Sequence, residues 1–150
     1  MRISVLLGAV CALNACGSAS DTAAPITVDP VVGNYALQTV GGKILPALVS
    51  QNASGSRSIV SGNLSMEASR NYVITFDDKT VDGNGVASTR TNTAAGTWVK
   101  SGSGVVSFSD ATVNGGPSVV VTGVATANNF NLSGSLFNEV GGDFFFSRTN

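Results

Sequence analysis

Asp77, Asp78 and Asp82, followed at once by Gly83-Asn84-Gly85, form the densest group of chemistry-bearing residues in the chain. Hard cations take clustered carboxylate and carbonyl oxygens, so a calcium loop is the chemistry such a group could perform. The EF-hand spacing and its closing bidentate glutamate are missing, however, and Lys79 sits inside the cluster. Asp82-Gly83-Asn84-Gly85 is also a strong hairpin signal, because Gly and Asn accept the positive φ such turns require. The turn is the expectation. The nine acidic residues are otherwise scattered, so no facing carboxylate pair is available for glycoside hydrolysis. Histidine is absent, which removes His-based zinc sites, His general bases and Ser-His-Asp triads. Serines abound, but no Ser-X-X-Lys motif supplies an activating base. The sequence therefore predicts no enzyme, no metal and no cofactor.

The two thiols, Cys11 and Cys16, both lie near the N-terminus. Met1-Arg2 gives a positive start, residues 3–13 an apolar run too short to span a bilayer, and Ala15 a small residue before Cys16. That order marks a cleaved secretory signal. Leu13-Asn14-Ala15-Cys16 resembles the bacterial lipobox, in which the cut falls before a lipidated cysteine. The resemblance implies a lipoprotein signal peptide over residues 1–15 and lipidation of Cys16, palmitate included. It also implies a membrane anchored through the N-terminal lipid in the bacterial cell envelope. Gly17, standing where an Asp would retain a lipoprotein in the inner membrane, points to the outer membrane. Residues 16–30, rich in Gly, Ser, Ala and Thr, are expected to be a flexible tether.

Residues 31–150 are then one domain, large enough to hold a core without disulfides. The formal charge is −1, and Lys43, Arg57, Arg70, Lys79, Arg90, Lys100 and Arg148 are dispersed singly. Nucleic-acid binding needs a clustered positive footprint, so no nucleic-acid partner is expected. A monomer is. A first strand spans residues 31–40, closed by Gly41-Gly42. Residues 43–49 read as an edge or crossing segment because of Pro46, and residues 51–58 as a loop. Val60, Gly62, Leu64 and Met66 then fall on one face, and Tyr72, Ile74 and Phe76 repeat the alternation. Further strands cover residues 86–100, with a bend near 94–96, and residues 105–110, 118–126, 130–136 and 143–148. Turns are expected at 114–117 and 140–142. About eight strands joined by short links pair antiparallel with their sequence neighbours. The expected fold is all-β, an up-and-down barrel that closes on itself and hides both edges. A two-sheet sandwich is the alternative.

Gly33-Asn34-Tyr35 and Arg148 resemble the lipocalin-like (calycin) barrels. Members of that group carry Gly-X-Trp on the first strand, whose ring closes the barrel floor, and an arginine on the last strand that packs across it. Here Tyr35 stands where the family carries Trp. The resemblance implies packing of Tyr35 against Arg148 at the floor. If Tyr35 faces inward, period two puts Leu37 on the same side. By the same rule Leu64, Met66, Tyr72, Ile74, Phe76, Phe108, Phe130, Leu132, Leu136, Phe144 and Phe146 line the interior. Barrels of this size are either filled by side chains or hold one small ligand. The expected function is a lipid-anchored, lipocalin-like module for a small apolar ligand, bound by Tyr35, Leu37, Leu64, Met66, Tyr72, Phe76, Phe108, Leu132, Phe144 and Phe146. The alternative is a structural or inhibitor-type surface lipoprotein with a filled barrel.

Overall fold

In the computed structural model, which describes residues 28–113, 118–126, 128–133 and 143–149, every regular element among the described residues is a strand. In order these are β1 (Gly33–Val40), β2 (Lys43–Ile44), β3 (Ala47–Asn52), β4 (Gly55–Met66) and β5 (Asn71–Asp82). They continue as β6 (Ala87–Lys100), β7 (Val105–Val113), β8 (Ser118–Ala125), β9 (Asn129–Ser133) and β10 (Phe144–Arg148). Cys16, Leu136 and the turns expected at 114–117 and 140–142 lie outside the described residues.

Consecutive strands from β4 to β10 pair antiparallel. β10 then pairs with β1, placing Tyr35 opposite Arg148, and β1 returns to β4, with Gly33 opposite Met66 and Tyr35 opposite Leu64. The ring so closed is an up-and-down, lipocalin-like barrel of eight antiparallel strands. Closure leaves the ring no bare edge and excludes the two-sheet sandwich.

β2 and β3 are insertions where the ring widens. β1 and β4 pair only through Ala36 and Asn63; beyond that point β1 pairs with β2 and β4 with β3. Pro46, which has no N–H to give a ladder, lies between the two inserted strands. The expectation of a loop over 51–58 is corrected here: β3 runs on to Asn52 and β4 already begins at Gly55. Its Ser- and Gly-rich composition belongs to a solvent-facing hairpin. Gly55 has φ of 136°, and a Cβ there would run into the Val81 carbonyl, so the tight turn needs glycine.

Alternation carries the core. β5 shows it most plainly, with Tyr72, Ile74, Phe76 and Asp78 buried and the residues between them less so. On β4 a register shift between Ile59 and Ser61 interrupts the period. Ile59 is therefore fully buried, and Val60, expected to share the face of Leu64, is only half-buried. A second register shift, between Ala95 and Thr97, falls at the bend expected in residues 94–96.

Two inward positions are glycine because their neighbours are large. A Cβ on Gly62 would come within 2.9 Å of Leu37, and one on Gly123 within 2.7 Å of both Leu132 and Phe130. Gly123→Val is expected to overpack this wall and cost about 1–3 kcal/mol. A fall in the urea midpoint at unchanged slope would report it.

Candidate binding site

The strand directions give the barrel two different ends. β1 begins, and β10 ends, at one of them, together with the turns at 67–70 and 101–104; this is the floor. The turns at 41–42, 53–54 and 83–86 mark the mouth.

The floor is sealed by an arginine. The Arg148 guanidinium lies 5.0 Å from the centre of the Tyr35 ring and donates to the Tyr35 hydroxyl at 2.8 Å. It also donates to the carbonyl of Val32 at 3.1 Å and to that of Pro30. Tyr35 in turn donates to the Val31 carbonyl at 2.8 Å. Burial pushes the Tyr35 hydroxyl above its ordinary pKa of 10, against the pull of the Arg148 charge, so it remains a donor. Gly33 permits the arrangement: its φ is 151°, and a Cβ would come within 2.7 Å of the guanidinium.

Beside this stack stands a second one. Arg70, held at φ 70° in the β4–β5 turn, lies 4.3 Å from the Trp98 ring centre. The Trp98 indole N–H reaches the carbonyls of Glu67 and Asn71 at 3.2 and 3.1 Å. Residues 28–32 strap across both stacks, and Asp29 fixes the strap by accepting from Lys100 at 3.1 Å, with Arg70 3.9 Å away. A shallow cleft of about 420 Å³ lies beside the strap, against Arg70 and Trp98.

Asp29 also makes the floor acid-sensitive. Burial alone would raise its pKa, but the Val31 amide, Lys100 and Arg70 outweigh that and hold it below the usual carboxylate range. A carboxyl lowered on folding contributes stability above its unfolded pKa and loses it as the pH falls through the folded one. The melting-temperature gap between the wild type and Asp29→Asn is therefore expected to be largest near neutral pH. It should shrink as the pH falls through the lowered range of this carboxyl.

Above the floor the interior is packed with rings. Tyr35 meets Phe130 edge-on at 5.9 Å, Phe130 meets Phe108 at 5.5 Å, and Phe108 meets Tyr72 at 4.6 Å. This chain crosses the barrel from β1 through β9 and β7 to β5, each pair in the geometry that aromatic quadrupoles favour. One layer higher, Phe76 and Phe144 sit 6.5 Å apart. The residues expected to line the interior and take a ligand, namely Tyr35, Leu37, Leu64, Met66, Tyr72, Phe76, Phe108, Leu132, Phe144 and Phe146, are all placed in this core. Each is 5 % exposed or less. They pack against one another in one hydrophobic cluster.

Toward the mouth the chemistry changes. Asp78 is 5 % exposed and Asn92 6 %, and they are the buried polar residues inside the ring among the described residues. Asp78 Oδ2 accepts from Arg57 Nη2 at 2.6 Å, from Arg57 Nε at 3.1 Å and from Asn92 Nδ2 at 2.9 Å. Oδ1 of the same carboxylate has no hydrogen-bond partner among the described residues. A rim cleft of about 390 Å³ is lined by Arg57, Thr80 and Ser88 among others, and Thr80 follows Asp78 by one inward step on β5.

Asp77 turns the other way. It accepts from Ser61 and Thr91, each at 2.6 Å, and these bonds hold its pKa below the usual carboxylate range. Neighbouring residues of a strand face opposite sides, so the two aspartates cannot share a cation. Asp82 accepts from the amides of Asn84 and Val86 at 2.9 and 2.8 Å, as a turn aspartate does.

Sequence reasoning missed Trp98 and the Arg57–Asp78–Asn92 group. Asn92, Ala94 and Trp98 are all buried at even spacing on β6, a period-two signal diluted by the polar residues between them. No family model, no curated protein and no solved structure matches the chain.

Proposed function

We propose that the chain is a membrane-anchored, lipocalin-like binding module that takes a small, largely apolar ligand at the mouth of its barrel. The observation that supports this reading most is the change of character along the axis. The floor half is sealed by Arg148 and filled by the four-ring chain, whereas a buried ionic group faces inward near the mouth. A charge pair inside a barrel is a poor source of stability, because desolvation consumes most of the attraction. Its presence favours a recognition role. The anchor rests on residues 1–16, with residues 1–15 as the removed signal, 16–30 as the tether and 31–150 as the barrel domain. In the envelope, the outer membrane is the proposed site, and the mature protein is proposed to act as a monomer.

Native mass spectrometry of protein purified without detergent, as the full chain carrying Cys16→Ser, tests the ligand. A co-purified small amphiphile is the expected result. A bare protein that also fails to bind any added alcohol or alkane would favour the filled, structural barrel instead. For the anchor, Cys16→Ser is expected to move the protein from the membrane fraction to the soluble fraction or to leave it as uncleaved precursor. Correct processing with full membrane retention would refute lipidation at that residue.

A further inference from the structure

We infer that Asp78 Oδ1 is the docking point for a neutral hydrogen-bond donor, a hydroxyl, carried by the head of the ligand that enters the mouth. The inference rests on the binding reading above and adds the head-group chemistry to it. Asp78 stands on the inner face of β5, and its side chain is 7 % exposed. All three of its hydrogen bonds from Arg57 and Asn92 converge on Oδ2. Oδ1 is thus a buried carboxylate oxygen with no donor among the described residues. A buried acceptor left in that state carries a desolvation cost, so in the functional protein a donor is expected to meet it.

The surroundings select the donor. Arg57 already balances the Asp78 charge, so a cationic head would bring an excess charge into a buried place. An anionic head would be repelled by Oδ1 itself. A hydroxyl fits: it donates one hydrogen bond, adds no charge, and can be carried on an apolar chain that rests in the rim cleft against Val81 and Val86. Arg57, which donates to Asp78 Oδ2, also lines that cleft, with Thr80 and Ser88.

The test uses two probes with the same ten-carbon chain, decanol and decyl methyl ether, in which a methyl replaces the donor hydrogen, titrated by calorimetry into the full chain carrying Cys16→Ser. Decanol is expected to bind about tenfold more tightly, the effect of one hydrogen bond to a charged acceptor. In Asp78→Asn the carbonyl faces Arg57 and the amide NH2 faces the ligand, so alcohol and ether both act as acceptors and the ratio is expected to fall to about one. Equal binding of the two probes by the wild type overturns this inference, with a bound water then the partner of Oδ1, and leaves the binding function standing. A preference for decanol that survives in Asp78→Asn also overturns it. Binding of neither probe overturns both readings. The wild-type comparison needs no variant, so poor folding of Asp78→Asn leaves the inference testable.

Discussion

Tyr35→Ala is expected to destabilise the protein by about 3–5 kcal/mol, the usual range for removing a buried aromatic ring. The ring is 1 % exposed, begins the edge-to-face chain through Phe130, and carries the hydroxyl that ties residue 31 to the floor. Arg148→Ala is expected to cost less, about 1–3 kcal/mol: the ring contact is one favourable term, and the charged donations to the Val32 and Pro30 carbonyls add to it. Because the two side chains touch, their effects should not add. A double-mutant cycle by urea unfolding is expected to show a coupling of about 1 kcal/mol, since Arg148 loses its ring and its hydroxyl partner once Tyr35 is gone. Strict additivity would show that the floor is held by the strap alone. Tyr35→Phe separates the terms, because it keeps the ring and removes only the hydroxyl between Arg148 and Val31.

The Tyr35–Arg148 contact at the floor was expected from the resemblance to lipocalin-like barrels, and the strands that carry it were legible because their pattern is local and periodic. Gly33, Tyr35 and Leu37 alternate on one short strand, Phe144, Phe146 and Arg148 alternate on another, and a meander of short links brings those two strands together. The interior aromatics followed from the same rule of two. What escaped has an equally physical cause. One inserted residue at Val60 shifts the inward set on β4 from even to odd positions, so Ile59 and Arg57 enter the barrel where alternation from Leu64 pointed to Val60. Without that shift Arg57 reads as a surface charge, whereas Asp78 continues the unbroken alternation of Tyr72, Ile74 and Phe76 on β5. The β3–β4 hairpin was hidden for a different reason. Its residues are polar because they face water, and a polar strand lacks the hydrophobic period by which strands are recognised.

The second large effect expected is at the mouth, and it discriminates between stability and function as the reason for the ion pair. Arg57→Met removes two of the three hydrogen bonds to Asp78 Oδ2 and leaves a carboxylate that is 7 % exposed with Asn92 as its remaining donor. Uncompensated buried charge is costly, and about 3 kcal/mol is expected, toward the lower end of the range for a buried pair because Arg57 keeps an 18 % water-facing edge. Asp78→Leu should cost less than Arg57→Met, since the arginine can turn its water-facing edge further into solvent. In the double variant Arg57→Met with Asp78→Leu, apolar groups of similar size replace both charges beside Phe76 and Ile59. Most of the lost stability is then expected to return, and the denaturant midpoint should equal or exceed that of the wild type. Such a variant would be a stable barrel with an apolar mouth. If the pair serves recognition, it still binds decyl methyl ether and no longer prefers decanol. A double variant that remains as unstable as Arg57→Met would instead make the pair part of what holds β4 to β5, and the recognition role would lose its main support.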